Sequence, residues 1–117
     1  MFLVQVMGLD SDDFEMESKN YRCDSLTTAQ KLQDRIINKY ARRYLSRDWD
    51  ADDEELEKVS DNEVAEWKEY NVSIHDDGTA YLYDGDSGHG EIHILELNEV
   101  VTADNVNTIE IETPFYY

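Results

Sequence analysis

Residues 25–45, SLTTAQKLQDRIINKYARRYL, carry the longest periodic pattern in this chain of 117 residues. Ser25 is of a residue type that caps helix N-termini through its side-chain oxygen. The apolar residues after it recur every three or four positions, as on one face of a helix; they are Ala29, Leu32, Ile36, Ile37, Tyr40 and Tyr44. This spacing predicts an amphipathic α-helix of about five turns. A second stripe beside the apolar one is basic and consists of Lys31, Arg35, Lys39 and Arg42.

An alternating strand pattern precedes this helix. Phe2, Val4 and Val6 lie on one side of residues 2–7, and residues 14–18 alternate apolar with acidic side chains. Residues 8–13 between them contain Gly, Ser and Asp, which favour turns. Two alternating segments joined by a turn predict an N-terminal β-hairpin.

Residues 48–70, DWDADDEELEKVSDNEVAEWKEY, form an acidic segment after the long helix. Ser60 and Glu63 match a capping box, and Val59 and Val64 occupy the positions of a hydrophobic staple. We therefore predict two short acidic helices near residues 52–59 and 61–70, or one bent helix. The residues expected on their buried side are Leu56, Val59, Val64, Trp67 and Tyr70.

From residue 71 onward the pattern changes to strands. Val72 and Ile74 alternate with polar residues, and the sequence DDG at 76–78 is typical of a hairpin turn. Further strand patterns follow at residues 79–83, 91–97 and 107–113, the last with Ile109 and Ile111 facing inward. The chain is thus predicted to be a single acidic α+β domain over residues 1–117, with an N-terminal β-hairpin, a helical middle and a C-terminal antiparallel β-meander.

Residues 84–91, DGDSGHGE, match fragments of three functional motifs. GDSG surrounds the nucleophile of many serine proteases, but a triad also needs a His base, a buried acid and an oxyanion hole. Calcium loops of the EF-hand type need an oxygen ligand and a Gly where Gly88 and His89 stand. A transition-metal site at His75, His89 and His93 would need three converging ligands. We interpret the stretch as a glycine-rich hairpin loop and predict no catalytic residue, no metal site and no cofactor; weak calcium binding stays open.

The net charge of −18 restricts the function further. Anionic membranes and nucleic acids are bound through basic patches, so we expect neither as a direct partner. One cysteine, Cys23, precludes an intramolecular disulfide, and no apolar stretch is long enough to cross a bilayer. These features predict a cytoplasmic protein. Residues 114–117, PFYY, carry three aromatic rings that fit a cap on the core or a contact with a dimer partner or another protein.

The acidic residues are unevenly distributed. From Glu69 to the C-terminus there are eleven acids and no Lys or Arg, and every basic residue lies between Lys19 and Lys68. A domain of this length has a diameter near ~35 Å, over which duplex DNA carries about 20 charges. The densest run of acids is the predicted partner-binding site: Asp48, Asp50, Asp52, Asp53, Glu54, Glu55, Glu57, Asp61, Glu63 and Glu66.

In size and charge over the whole chain, the protein resembles virus- and plasmid-encoded DNA mimics, which include antirestriction proteins, anti-CRISPR proteins and glycosylase inhibitors. No residue motif accompanies the resemblance, so it carries no site residues over. It implies a non-enzymatic inhibitor that occupies the basic groove of a nuclease or another nucleic-acid-binding protein. The alternative is a small acidic accessory or scaffold protein whose charge serves solubility.

Overall fold

The computed structural model describes residues 1–8, 19–47, 50–83, 89–97 and 101–110. Its elements confirm the α+β class, with a strand pair, one long helix, two short helices and a C-terminal meander. In chain order they are β1 (Phe2–Met7), β2 (Lys19–Cys23), α1 (Leu26–Ser46), α2 (Asp53–Glu57), α3 (Asp61–Asn71), β3 (Val72–Ile74), β4 (Ala80–Tyr83) and β5 (His89–Glu96).

The strands form one antiparallel sheet in the order β2-β1-β5-β4-β3. The N-terminal pair joins the C-terminal meander through β1 and β5, whose register runs from Phe2 opposite Glu96 to Met7 opposite Glu91. This pairing connects the two ends of the chain, so the predicted hairpin and meander are halves of a single sheet.

One face of the sheet forms the core together with α1. Val4, Leu82 and Ile92 project from three neighbouring strands and are almost completely buried. Ala29 and Ile37 of α1 belong to the same buried cluster. Small residues let the helix approach the sheet closely, and the larger ones fill the space between them.

The long helix confirms the sequence prediction at both ends. Ser25 is the N-cap, and its Oγ accepts a hydrogen bond from the Thr28 N–H at 3.2 Å. The helix stops at Arg47, which adopts a left-handed conformation with φ 60°. Its N–H donates to the Tyr44 carbonyl oxygen, which satisfies one of the carbonyls left free in the last turn.

A polar residue inside the α1 interface escaped the apolar pattern. Gln33 is buried, and its Nε2 donates to the carbonyl oxygens of Gly78 at 2.9 Å and Ile92 at 3.0 Å. One amide group therefore joins α1 to the β3–β4 turn and to β5. Burial of Gln33 is tolerated because both amide protons have partners.

The two short helices coincide closely with the ranges predicted from the sequence. Asp52 caps α2 by accepting the Glu55 N–H at 2.9 Å. Ser60 and Glu63 form the predicted capping box at the start of α3, with hydrogen bonds of 3.2 and 3.4 Å. Leu56, Val64 and Trp67 are buried as expected.

Tyr70 is a clear exception, because it was predicted to be buried and is 78% exposed. Six residues separate it from Val64, and six steps of about 100° turn its direction by roughly 120° from that of Val64. The last turn of α3 therefore presents Tyr70 to solvent, although Trp67 one turn earlier is buried.

The strand predictions held in part. The DDG turn is present, with Gly78 at φ 86° and the His75 N–H donating to the Thr79 carbonyl oxygen at 2.9 Å. The prediction of a strand at 107–113 is wrong for its first residues, because 105–108 form turns in which the Ile109 N–H donates to the Asn105 carbonyl oxygen at 2.9 Å. Residues 14–18 and 111–117, including the PFYY tail, lie outside the described ranges.

Among the residues described, no helix has the length and apolar character that a membrane span requires.

Replacing Gln33 by Leu should lower the free energy of unfolding by about 1–3 kcal/mol, because the buried Ile92 carbonyl oxygen loses its side-chain donor. Urea denaturation measures the change. The control is Gln30→Leu on the exposed side of the same helix, which should change stability by less than about 0.5 kcal/mol. Equal effects of the two substitutions would contradict the anchoring role of Gln33.

Candidate functional site

Nine of the ten predicted site acids lie in the described ranges, and all nine are exposed. Asp48 lies outside these ranges. Asp50 and Asp52 precede α2, and the remaining seven lie in α2 and α3. We call this set the acidic surface; its members are Asp50, Asp52, Asp53, Glu54, Glu55, Glu57, Asp61, Glu63 and Glu66.

The packing of α3 orients its carboxylates. Val64 and Trp67 are buried, and the Trp67 ring packs against Tyr40 and Tyr44 of α1 with centroid distances of 5.8 and 5.5 Å. Aromatic contacts of this kind contribute beyond their buried area. Because this side of α3 faces α1, Glu63 and Glu66 project from the rest of the helix surface into solvent.

The basic stripe of α1 neutralises part of the acidic surface. Lys39 lies 3.7 Å from Asp53, and Arg42 pairs with Asp61 at 2.5 Å. Arg42 also donates to the Val59 carbonyl oxygen, so it fixes the connection between α2 and α3 to α1. Exposed pairs of this type stabilise by at most about 1 kcal/mol each. Their larger consequence is that Asp53 and Asp61 already have cationic partners within the chain.

Two further acids have structural roles. Asp52 and Glu63 accept backbone N–H groups at the starts of α2 and α3. Acids in a first helical turn are also stabilised by the helix dipole, which applies to Glu54 and Glu55 of α2. The surface therefore combines acids that cap a helix, pair with a cation or favour a helix dipole with Glu57 and Glu66, for which the described part of the chain shows none of these roles.

Four carboxylates of the acidic surface have neither an ion pair nor a capping hydrogen bond among the described residues. In the described part of the chain, no Lys or Arg nitrogen lies within 4.0 Å of their oxygens. We call them the open carboxylates: Glu54, Glu55, Glu57 and Glu66. All four are exposed, so a partner can reach them without displacing a contact within the chain.

A second polar cluster lies on the sheet face opposite α1, and sequence reasoning missed it. Thr79 Oγ1 lies 3.2 Å from His93 Nδ1, and His93 Nε2 lies 3.3 Å from Glu91 Oε2. The signal for it was the period of two that puts Glu91 and His93 on one side of β5. Although a hydroxyl, an imidazole and a carboxylate stand in a row, Thr79 is only 3% exposed, so its hydroxyl is closed to a substrate.

The described residues contain no set of side chains suited to bind a metal ion. Within those ranges, no group of three or more His, Cys, Asp or Glu side chains converges to hold a metal ion. His75 packs its ring against Tyr81 at 4.3 Å. Residues 84–88 of the glycine-rich loop lie outside the described ranges, so weak calcium binding there stays a hypothesis.

No protein-family model matches this chain, and no curated protein or solved structure is significantly similar to it. Its function is therefore inferred from its own side chains and their surroundings.

The turn before β4 offers a test of the local electrostatics. Thr79 donates its backbone N–H to Asp77 Oδ1 at 2.9 Å, and this bond, together with the Thr79 hydroxyl, lowers the pKa of Asp77. A carboxyl with a lowered pKa stabilises the fold fully above its unfolded value of about 3.9 and loses that contribution as pH falls through the folded value.

Asp77→Asn should therefore flatten the acid limb of the melting curve, because the amide oxygen can still accept the Thr79 N–H but does not titrate. We expect the melting temperature of the parent protein to fall more steeply than that of the variant between about pH 4 and pH 2. Asp76→Asn, at the exposed neighbouring position, is the matched control and should follow the parent. Parallel curves for parent and Asp77→Asn would refute the assignment.

Proposed function

We propose that this protein is a non-enzymatic DNA-mimic inhibitor. Its acidic surface would occupy the basic nucleic-acid groove of a nuclease, restriction enzyme, glycosylase or CRISPR effector. The observation that carries the proposal is the set of open carboxylates, which are exposed and unpaired on a chain of net charge −18. A basic groove supplies the cations that these four side chains lack within their own fold.

The dimensions refine the comparison with DNA. The radius of gyration is 17.2 Å and the longest extent is 53 Å, so the chain is more elongated than the compact domain assumed from its length. Duplex DNA carries one charge per about 1.7 Å, hence about 31 charges over that extent. The net charge of −18 corresponds to more than half of that density. The similarity to DNA is thus weaker than the sequence estimate, but the order of magnitude is the same.

The distribution of cations indicates how a target would approach. Lys39 and Arg42 of α1 face the acids of α2 and α3, so the side of these helices nearest α1 is partly neutral. Among the described residues, the open carboxylates have no such partner within 4.0 Å. A basic groove would therefore meet least repulsion on the solvent side of α2 and α3.

The C-terminal half would extend the negative field. No Lys or Arg follows Lys68, and the exposed acids in its described part include Asp76, Asp77, Glu96, Asp104 and Glu110. An ordinary soluble surface mixes both signs, which is the physical reason to prefer a binding role to charge that serves solubility alone. The host compartment in which such targets act is the cytoplasm, and a monomer or a dimer would serve equally.

Charge reversal at three acids tests whether affinity for the target depends on the position of these carboxylates or only on the net charge of the protein. In Glu54→Lys/Glu57→Lys/Glu66→Lys, affinity for a sensitive target should fall at least about tenfold, because three exposed pairs of up to ~1 kcal/mol are lost. The measurement is competition with labelled duplex DNA on a panel comprising a restriction endonuclease, a base-flipping glycosylase and an RNA-guided nuclease, at about 50 and 200 mM salt.

The matched control reverses three exposed acids elsewhere, Glu96→Lys/Asp104→Lys/Glu110→Lys, and changes the net charge by the same amount. Because these acids add to the long-range negative field but lie outside the acidic surface, this control should lose less affinity than the first variant. Binding by the parent should weaken steeply with salt, since the contacts are ionic. Equal losses in both variants would assign the effect to net charge, and failure of the parent to compete on any member of the panel would refute the proposed function.

A further inference from the structure

Tyr70 is the most exposed of the large hydrophobic side chains in the described residues, at 78%. It stands in the last turn of α3, one turn after the open carboxylate Glu66 and directly after Glu69. Residues four apart on a helix are surface neighbours, with Cβ atoms about 5–6 Å apart. The tyrosine ring therefore borders Glu66, one of the four open carboxylates.

Among the described residues, the Tyr70 ring packs against no other aromatic ring. The core on this side of α3 is supplied by Val64 and Trp67, and the Trp67 ring packs against two tyrosines of α1. Ile74, just beyond the helix, is also 59% exposed. Single exposed apolar residues are common on proteins, so the informative feature of Tyr70 is its place beside unpaired acids rather than its exposure alone.

The kind of groove that accepts such a ring differs from one that holds intact duplex. Duplex DNA presents phosphates to the protein and keeps its bases stacked inside, so a groove that follows the backbone offers mainly cations. Grooves for single strands combine cations with aromatic platforms on which bases stack. Enzymes that flip bases likewise hold the extruded base between aromatic or apolar side chains.

We propose that Tyr70 takes the place of an unstacked base, and that the target is a protein whose basic groove binds single-stranded nucleic acid or an extruded base. This inference rests on the proposed function and specifies its partner. Glu66 faces the cations of the groove, while the Tyr70 ring lies on an aromatic or guanidinium platform of the target. Arginine suits both needs, because it pairs with carboxylates and stacks on aromatic faces.

The test compares two exposed tyrosines of the parent protein. Tyr70→Ala removes the ring beside the acids, and Tyr21→Ala removes a 41% exposed ring on β2, which carries the basic residues Lys19 and Arg22. The probes are a labelled oligothymidine of about 20 nucleotides on an OB-fold single-strand-binding protein and on a base-flipping glycosylase, and a labelled duplex on a restriction endonuclease.

We expect the parent to displace oligothymidine. Tyr70→Ala should weaken this at least about fivefold, the lower end of the loss when a stacking ring is removed. The salt dependence should stay the same, because no charge has changed, whereas Glu66→Gln should reduce the slope. Tyr21→Ala should behave as the parent.

Two results would overturn the inference while the proposed function survives. In one, the parent competes with duplex on the restriction endonuclease and not with oligothymidine. In the other, Tyr70→Ala and Tyr21→Ala are indistinguishable. Absence of competition with every probe would overturn both proposals together.

Discussion

The structure depends on the way α1 is packed on two sides. Ala29, Gln33 and Ile37 contact the sheet, while Tyr40 and Arg42 contact α3 and its start. Without α1 the apolar face of the sheet would be exposed to water. The acidic helices would also lose their packing contacts with α1, such as that of Trp67 with Tyr40. Because burial of apolar area is the main favourable term in folding, this helix has to hold together a chain whose net charge of −18 opposes compaction.

The position of α1 beside α2 and α3 also separates the acidic residues into two groups, those paired with cations of α1 and those without such a partner. Lys39 and Arg42 offset repulsion close to the core, where α2 and α3 meet α1. Lys58 follows Glu57 directly, yet no Lys or Arg nitrogen lies within 4.0 Å of the open carboxylates in the described part of the chain. This lack of cationic partners gives the binding hypothesis its physical basis.

Sequence signals predicted the structure correctly where the stabilising hydrogen bonds form within a few residues of one another. Ser25, the Ser60–Glu63 capping box and Gly78 each satisfy backbone groups within a few residues, and each lies where the sequence placed it. Burial in the last turn of α3 and the turn at 105–108 were misjudged, since both depend on what the rest of the chain brings alongside. The exposed acids were predictable as a set, but their division into paired, capping and open carboxylates was not.

The sequence by itself determined the three helices, the N-caps at Ser25 and Ser60, and most of the C-terminal strands. It also determined the excess of negative charge and the lack of any Lys or Arg after Lys68. These follow from local hydrogen bonding, from hydrophobic period and from composition. Only the tertiary structure decided that β1 pairs with β5, that Gln33 spans helix and sheet, and that Tyr70 stands exposed beside Glu66. Such features join residues that are distant in the chain, or rotate neighbours onto different surfaces. Local preferences leave several strand pairings and burial patterns equally favourable, and packing of the whole domain decides which of them forms.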